Sequence, residues 1–193
     1  RNQRRLFVIL GIFGIAALMV LGAYAWNIKE ARYVNDKEIE YALIASADAR
    51  TSWTRAVVAP QLKRWERAAE AGNAFANYVL GRTYYWGAGL EQSYSMAFKY
   101  MRVAAEYGIA DAQNHLGAMY VKGEGVSENG EEAVYWFKKA AQQGNATALH
   151  NLGFCYERGF GVWRDLNKAI KYYGQAASRG DDNARNKLIQ LGQ

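Results

Sequence analysis

The sequence predicts an all-α protein: a single N-terminal transmembrane helix followed by an α/α right-handed superhelical solenoid. Three observations lead there. Residues 6–26, "LFVILGIFGIAALMVLGAYAW", contain no charged side chain. Further along, one formula of apolar and glycine residues is written three times, as "LGRTYYWGAGL" at 80–90, "LGAMYVKGEGV" at 116–126 and "LGFCYERGFGV" at 152–162. The 193 residues are 51% hydrophobic with a single proline, a composition that supports a real core and argues against long unstructured linkers.

The apolar run comes first. As a helix it spans roughly 31 Å, about the thickness of a bilayer's hydrocarbon layer, and Tyr24 and Trp26 at its far end suit the interfacial aromatic belt. Ala23-Tyr24-Ala25 has the form of a signal-peptide cleavage site, but the run is longer than the usual signal-peptide core, which favours an uncleaved anchor. The flanks orient it. The tip, residues 1–5, carries Arg1, Arg4 and Arg5 and no acid, whereas Lys29, Arg32, Lys37 and Arg50 beyond the span are mixed with five acids. The positive-inside rule then puts the tip in the cytoplasm and the remainder outside it, which in a bacterium means a single-pass inner-membrane protein with a periplasmic body. Gly11, Gly14, Leu18, Gly22 and Ala25 share one helical face, a stripe along which another membrane helix can approach closely. Glycine is also simply common in membrane helices.

The triplicated formula belongs to a longer register. Gly81, Gly117 and Gly153 are 36 residues apart, as are Tyr84, Tyr120 and Tyr156, then Gly87, Gly123 and Gly159, and then Ala97, Ala133 and Ala169. Gly72, Gly108, Gly144 and Gly180 extend the series to four marks. A fixed period in this range is the signature of stacked helical hairpins. In the last full unit, 146–157 puts Ala148, Leu152, Cys155 and Tyr156 on one side of a first helix. Gly159-Phe160-Gly161 ends it, Asp165 is placed to cap the second helix, and 166–179 turns Ala169, Tyr173 and Ala176-Ala177 inward before stopping at Gly180. Small residues let the paired helices approach, and the repeated tyrosines fill the space between units. No hairpin buries its apolar face alone, so neighbours must stack.

The pattern G-x-A-x-A-x-x-x-L-G-x-x-Y-x-x-G-x-G-V, followed by A-x-x-(W/Y) and A-A-x-x-G, resembles the Sel-one-like repeat family, relatives of the tetratricopeptide repeats. Units 73–108, 109–144 and 145–180 carry it. Residues 61–72 resemble the second helix of an earlier unit, and 181–193 a lone first helix closing the stack, so the repeat domain covers 61–193. Leu90 and Asp182 are modest departures. The resemblance implies an α/α superhelix that binds other proteins and often serves as an adaptor. The disulfide-stapled architecture of cysteine-rich members does not carry over to a chain whose one cysteine is Cys155. Residues 27–60 match no repeat and read as a helical connector, with Pro60 suited to the first turn of the following helix.

Catalytic and cofactor chemistry finds little footing. The net charge is +6, yet three of the 24 basic residues sit in the tip and the rest face 18 acids, which does not suit a nucleic-acid surface. His115 and His150 lie in adjacent first helices at variable positions expected on the surface, without carboxylate or thiol ligands at supporting spacing. Cys155 aligns with Met119 and Thr83 and reads as core rather than nucleophile. The glycine pairs Gly87/Gly89, Gly123/Gly125 and Gly159/Gly161 lack the third glycine and the preceding strand of a dinucleotide fingerprint. Glu131-Glu132 and Asp181-Asp182 stand at helix starts, where they complement the dipole, and no acid pair faces a common cleft as sugar hydrolysis requires. No catalytic residue, metal, cofactor or small-molecule substrate is expected.

Protein binding is the remaining chemistry. Trp86, Phe160 and Trp163 lie in or beside the turns, either as interface anchors or as local packing. Tyr78, Asn114, His150 and Asn186 recur at the repeat interval on the first helices, a ladder able to hydrogen-bond an extended peptide. The expected role is a membrane-anchored interaction scaffold, an accessory subunit of a membrane protein complex on its extracytoplasmic side. The alternative is a periplasmic regulatory repeat protein tuning a signalling or polysaccharide-secretion system.

Overall fold

The computed structural model describes residues 52–192, with side chains from 61 onward. The predicted span at 6–26, with its stripe Gly11, Gly14, Leu18 and Gly22, and most of the connector lie outside the described residues. Among the described residues no helix is long and apolar enough to cross a membrane.

Those residues form eight α-helices: α1 Ser52–Glu70, α2 Ala74–Trp86, α3 Tyr94–Glu106, α4 Ala110–Lys122, α5 Gly130–Gln142, α6 Ala146–Arg158, α7 Leu166–Ala177 and α8 Asp182–Gln190. One expectation fails at once. Pro60 does not begin a helix but lies inside α1, which runs unbroken across the anticipated connector boundary. An interior proline forfeits a hydrogen bond and crowds the preceding turn, a cost of about 3 kcal/mol. The helix carries that cost because its second half is docked: Trp65, Ala68 and Ala69 are buried against Ala76, Val79 and Leu80 of α2.

Local chemistry defines each hairpin. The first helices end on Gly87, Gly123 and Gly159, all left-handed with φ between 66° and 73°, a conformation that costs glycine no Cβ clash. Their N–H groups bond back to Thr83, Met119 and Cys155. The loop then returns so that the N–H of Ser93, Asn129 and Asp165 donates to the carbonyl of Tyr84, Tyr120 and Tyr156 at 2.9–3.0 Å. The same three residues cap α3, α5 and α7, with Asp165 Oδ1 accepting from the Lys168 N–H at 3.0 Å as anticipated.

Tertiary packing repeats with the same interval. Trp65, Met101, Phe137 and Tyr173 stand 36 residues apart on α1, α3, α5 and α7, and each is at most 1% exposed. Opposite the last three lie Gly81, Gly117 and Gly153. A Cβ on any of them would come within 2.8 Å of the facing side chain, and within 2.6 Å of the Phe137 and Tyr173 rings. The glycines are there because the facing side chain occupies the room of their own. Tyr84 packs against the first and second core clusters and Tyr120 against the second and third, so these two bridge units. Tyr84 and Tyr156 also stack within their own units, on Tyr100 and Tyr172 at 5.7 and 5.5 Å. Each helix packs chiefly on its neighbours in the chain, and α8 closes the stack by burying Ala184 against Leu149, Tyr173 and Ala176.

Candidate functional site

The first helices α2, α4 and α6 lie side by side, joined by polar and ring contacts as well as by shared core. Tyr78 meets His115 edge-on at 6.2 Å. The Asn151 amide donates to Asn114 Oδ1 at 2.9 Å, and the Tyr85 hydroxyl donates to Glu124 at 2.7 Å across to the next unit's loop. These links consume much of the anticipated ladder. Tyr78 is 6% and Asn114 9% exposed, His150 is half-buried and only Asn186 is open to solvent. The histidines are not surface residues as anticipated. Burial holds His115 below the ordinary imidazole range, against the Asp111 carbonyl that accepts at 2.8 Å, and His150 packs on the Tyr173 ring with Nδ1 3.5 Å from Asp181. The two engage separate partners. The Cys155 thiol is fully buried and pushed up to about 12 by desolvation, which removes it as a nucleophile at neutral pH.

Open between α4 and α6 is a groove, a cavity of about 240 Å³. Ala118, Val121 and Lys122 form one wall, His150, Asn151 and Phe154 the other, and the buried Phe137 the floor. Phe154 is 37% exposed at a register that the other units give to Arg82 and Ala118. That unmatched aromatic is the signal the sequence offers for this groove, and it stands outside the regular ladder of variable positions. Lys122 ties the groove to an aromatic cluster at the mouth of the first loop. Its ammonium donates to the Tyr85 hydroxyl at 3.3 Å, and that bond raises its pKa. Tyr85 in turn meets Trp86 and Tyr94 edge-on at 4.9 and 5.3 Å, and burial followed by the Glu124 bond raises the phenol's pKa.

The three predicted anchors separate. Trp86 is 49% exposed and Trp163 94% exposed, whereas Phe160 is partly buried against the α5–α6 core and is a packing residue. Trp163 borders an open groove of about 700 Å³ that Glu131, Tyr156, Arg164, Asp165 and Lys168 also line. Across these surfaces the side chains offer apolar contact, ring faces and amide hydrogen bonds, the means of holding a polypeptide.

Comparison with known proteins agrees with this geometry. Residues 74–108, 110–145 and 146–181 each match the Sel1 repeat. A Sel1 repeat protein from Oxalobacter formigenes is 36% identical over 66% of this chain and 51% of its own, with a TM-score of 0.64. The protein c5321 of uropathogenic Escherichia coli, a protective antigen displaying the same repeat fold, is 34% identical over 78% of this chain and 32% of its own, with a TM-score of 0.68. This chain therefore spans about half the length of the first and about a third of the second. Cysteine-rich protein B of Helicobacter pylori shares the fold at 20% identity, with a TM-score of 0.54 over 72% of this chain and 99% of its own. No curated protein matches the chain. With three consecutive repeats over more than half its length, the chain belongs to the Sel1 repeat family.

Proposed function

We propose that this protein is a membrane-tethered interaction scaffold, an accessory subunit that binds and steadies a membrane protein complex from its extracytoplasmic side. Sel1 repeat proteins in general mediate protein–protein interaction. The observation that carries the reading is the α4–α6 groove, where Phe154 stands open beside an apolar cavity and a hydrogen-bonding asparagine. An aromatic over a pocket with a polar rim is the arrangement of an interface hot spot. The uncharged stretch at 6–26 and the basic tip support the tether and its orientation.

The test is recovery of membrane proteins with the tagged full chain from mild-detergent extracts, compared with Phe154→Asp, and a C-terminal reporter active only outside the cytoplasm. A defined set of membrane proteins lost with the variant at unchanged melting temperature, together with an active reporter, is the expected result. Identical recovery with both proteins removes the groove from the interface, and a silent reporter reverses the topology.

A further inference from the structure

The second helices build a different groove. Between α5 and α7 lies a cavity of about 430 Å³ whose rim carries Lys138, Lys168 and Lys171, with Gln142 and Gln175 beside them and no carboxylate in the lining. Its floor is apolar: Leu149 and Leu152 are buried, and Tyr156 stacks on Tyr172 at 5.5 Å. Lys168 is shared with Asp165 at 3.1 Å and lies 5.4 Å from the Tyr156 ring centre. Lys138 and Lys171 are exposed, and among the described residues neither makes an ion pair or hydrogen bond. Through Tyr156 and Lys168 the groove continues into the one bordered by Trp163.

A cluster of like charges around an apolar floor is unfavourable for the isolated fold and becomes favourable when an occupant brings the opposite sign. Beyond the tip the chain is nearly balanced in charge, so these lysines are a local feature and not part of a general basic field. We propose that the α5–α7 groove docks an acidic peptide segment of a partner protein, with carboxylates against Lys138 and Lys171 and an apolar side chain against the Tyr156–Tyr172 pair. The apolar floor is what selects a peptide. A lipid headgroup layer is too broad to enter between two helices, and a phosphate backbone has no apolar side chain to seat there. The surface is distinct from the α4–α6 groove, so failure here leaves the proposed function standing.

The experiment uses the full chain in nanodiscs of neutral phosphatidylcholine and a fluorescein-labelled peptide of alternating glutamate and leucine, read by fluorescence anisotropy. Binding that weakens as salt is raised is expected. Lys138→Glu with Lys171→Glu should weaken it about tenfold, while Lys139→Glu, whose lysine lies over Tyr135 outside the groove, should leave it near the native value. Equal binding of the glutamine–leucine peptide, or indifference to the double reversal, overturns the proposal. So does binding of phosphatidylglycerol vesicles through the same two lysines in the absence of peptide binding.

Discussion

Gly117 and Gly153 each face an aromatic ring so closely that even a methyl group would stand 2.6 Å from it. A ring in a filled core cannot retreat without disturbing its neighbours, and overpacking of this kind costs about 1–3 kcal/mol. Gly174, in the interior of α7, has open space where a Cβ would stand, with nothing within 4 Å. There the backbone entropy of glycine dominates, and alanine gains about 0.5–1 kcal/mol. Gly153→Ala should therefore lower the thermal midpoint and Gly174→Ala raise it, measured by circular dichroism on the same chain. A second residue-scale device is Glu157, which accepts from the Tyr173 hydroxyl at 2.6 Å and from Lys187 at 3.1 Å. Chiefly the Tyr173 bond, and then Lys187, hold its carboxyl below the ordinary 4.5. A depressed pKa in the folded state means that the stabilisation is complete above the unfolded value and is lost as pH falls through the folded one. Below about pH 4.5 the melting temperature should fall less steeply for Glu157→Gln than for the native chain; parallel curves would remove Glu157 from the acid response.

At the level of single helices, the ends show which rules are local. Asn73, Asn145 and Asp181 cap α2, α6 and α8 from equivalent positions, but the unit between them has Ile109, which makes no side-chain cap and packs instead into the second core cluster. Asn145 also reaches across units, its amide donating to Asp111 at 2.8 Å. Asn145→Ala and Asn145→Gly both lose the Asp111 bond, but alanine should cost about 0.5–1 kcal/mol more than glycine, because glycine still allows the capping conformation; urea midpoints distinguish them. Hairpin boundaries were legible in the sequence, since the glycine ends and, at α7, the Asp165 start are written beside the helices they serve. The course of α1 through Pro60 was not, because what carries a helix past a proline is the docking of Trp65 and Ala68 on α2.

The described solenoid is nearly one-dimensional, each hairpin resting on the next. Stability in such a stack is a sum of unit and interface contributions, and a terminal helix protects the last interface. Deleting α8 by ending the chain after Gly180 should expose Leu149 and Ala176, remove the Lys187–Glu157 pair and lower the melting temperature while leaving helical content largely in place. An unchanged midpoint would show that α8 is an appendage and no cap. The period, the hairpin, the small residues at the helix contacts and the family could all be read along the chain, because each depends on residues at regular offsets. Which variable side chains meet solvent emerged with the packing: Tyr78 and Asn114 are covered, Phe154 and Trp163 are open, and Lys138 and Lys171 share one groove. The reason is geometric. A repeat sets the direction of a side chain from its own helix, whereas its exposure depends on what the adjacent helix, a full unit away in sequence, places against it.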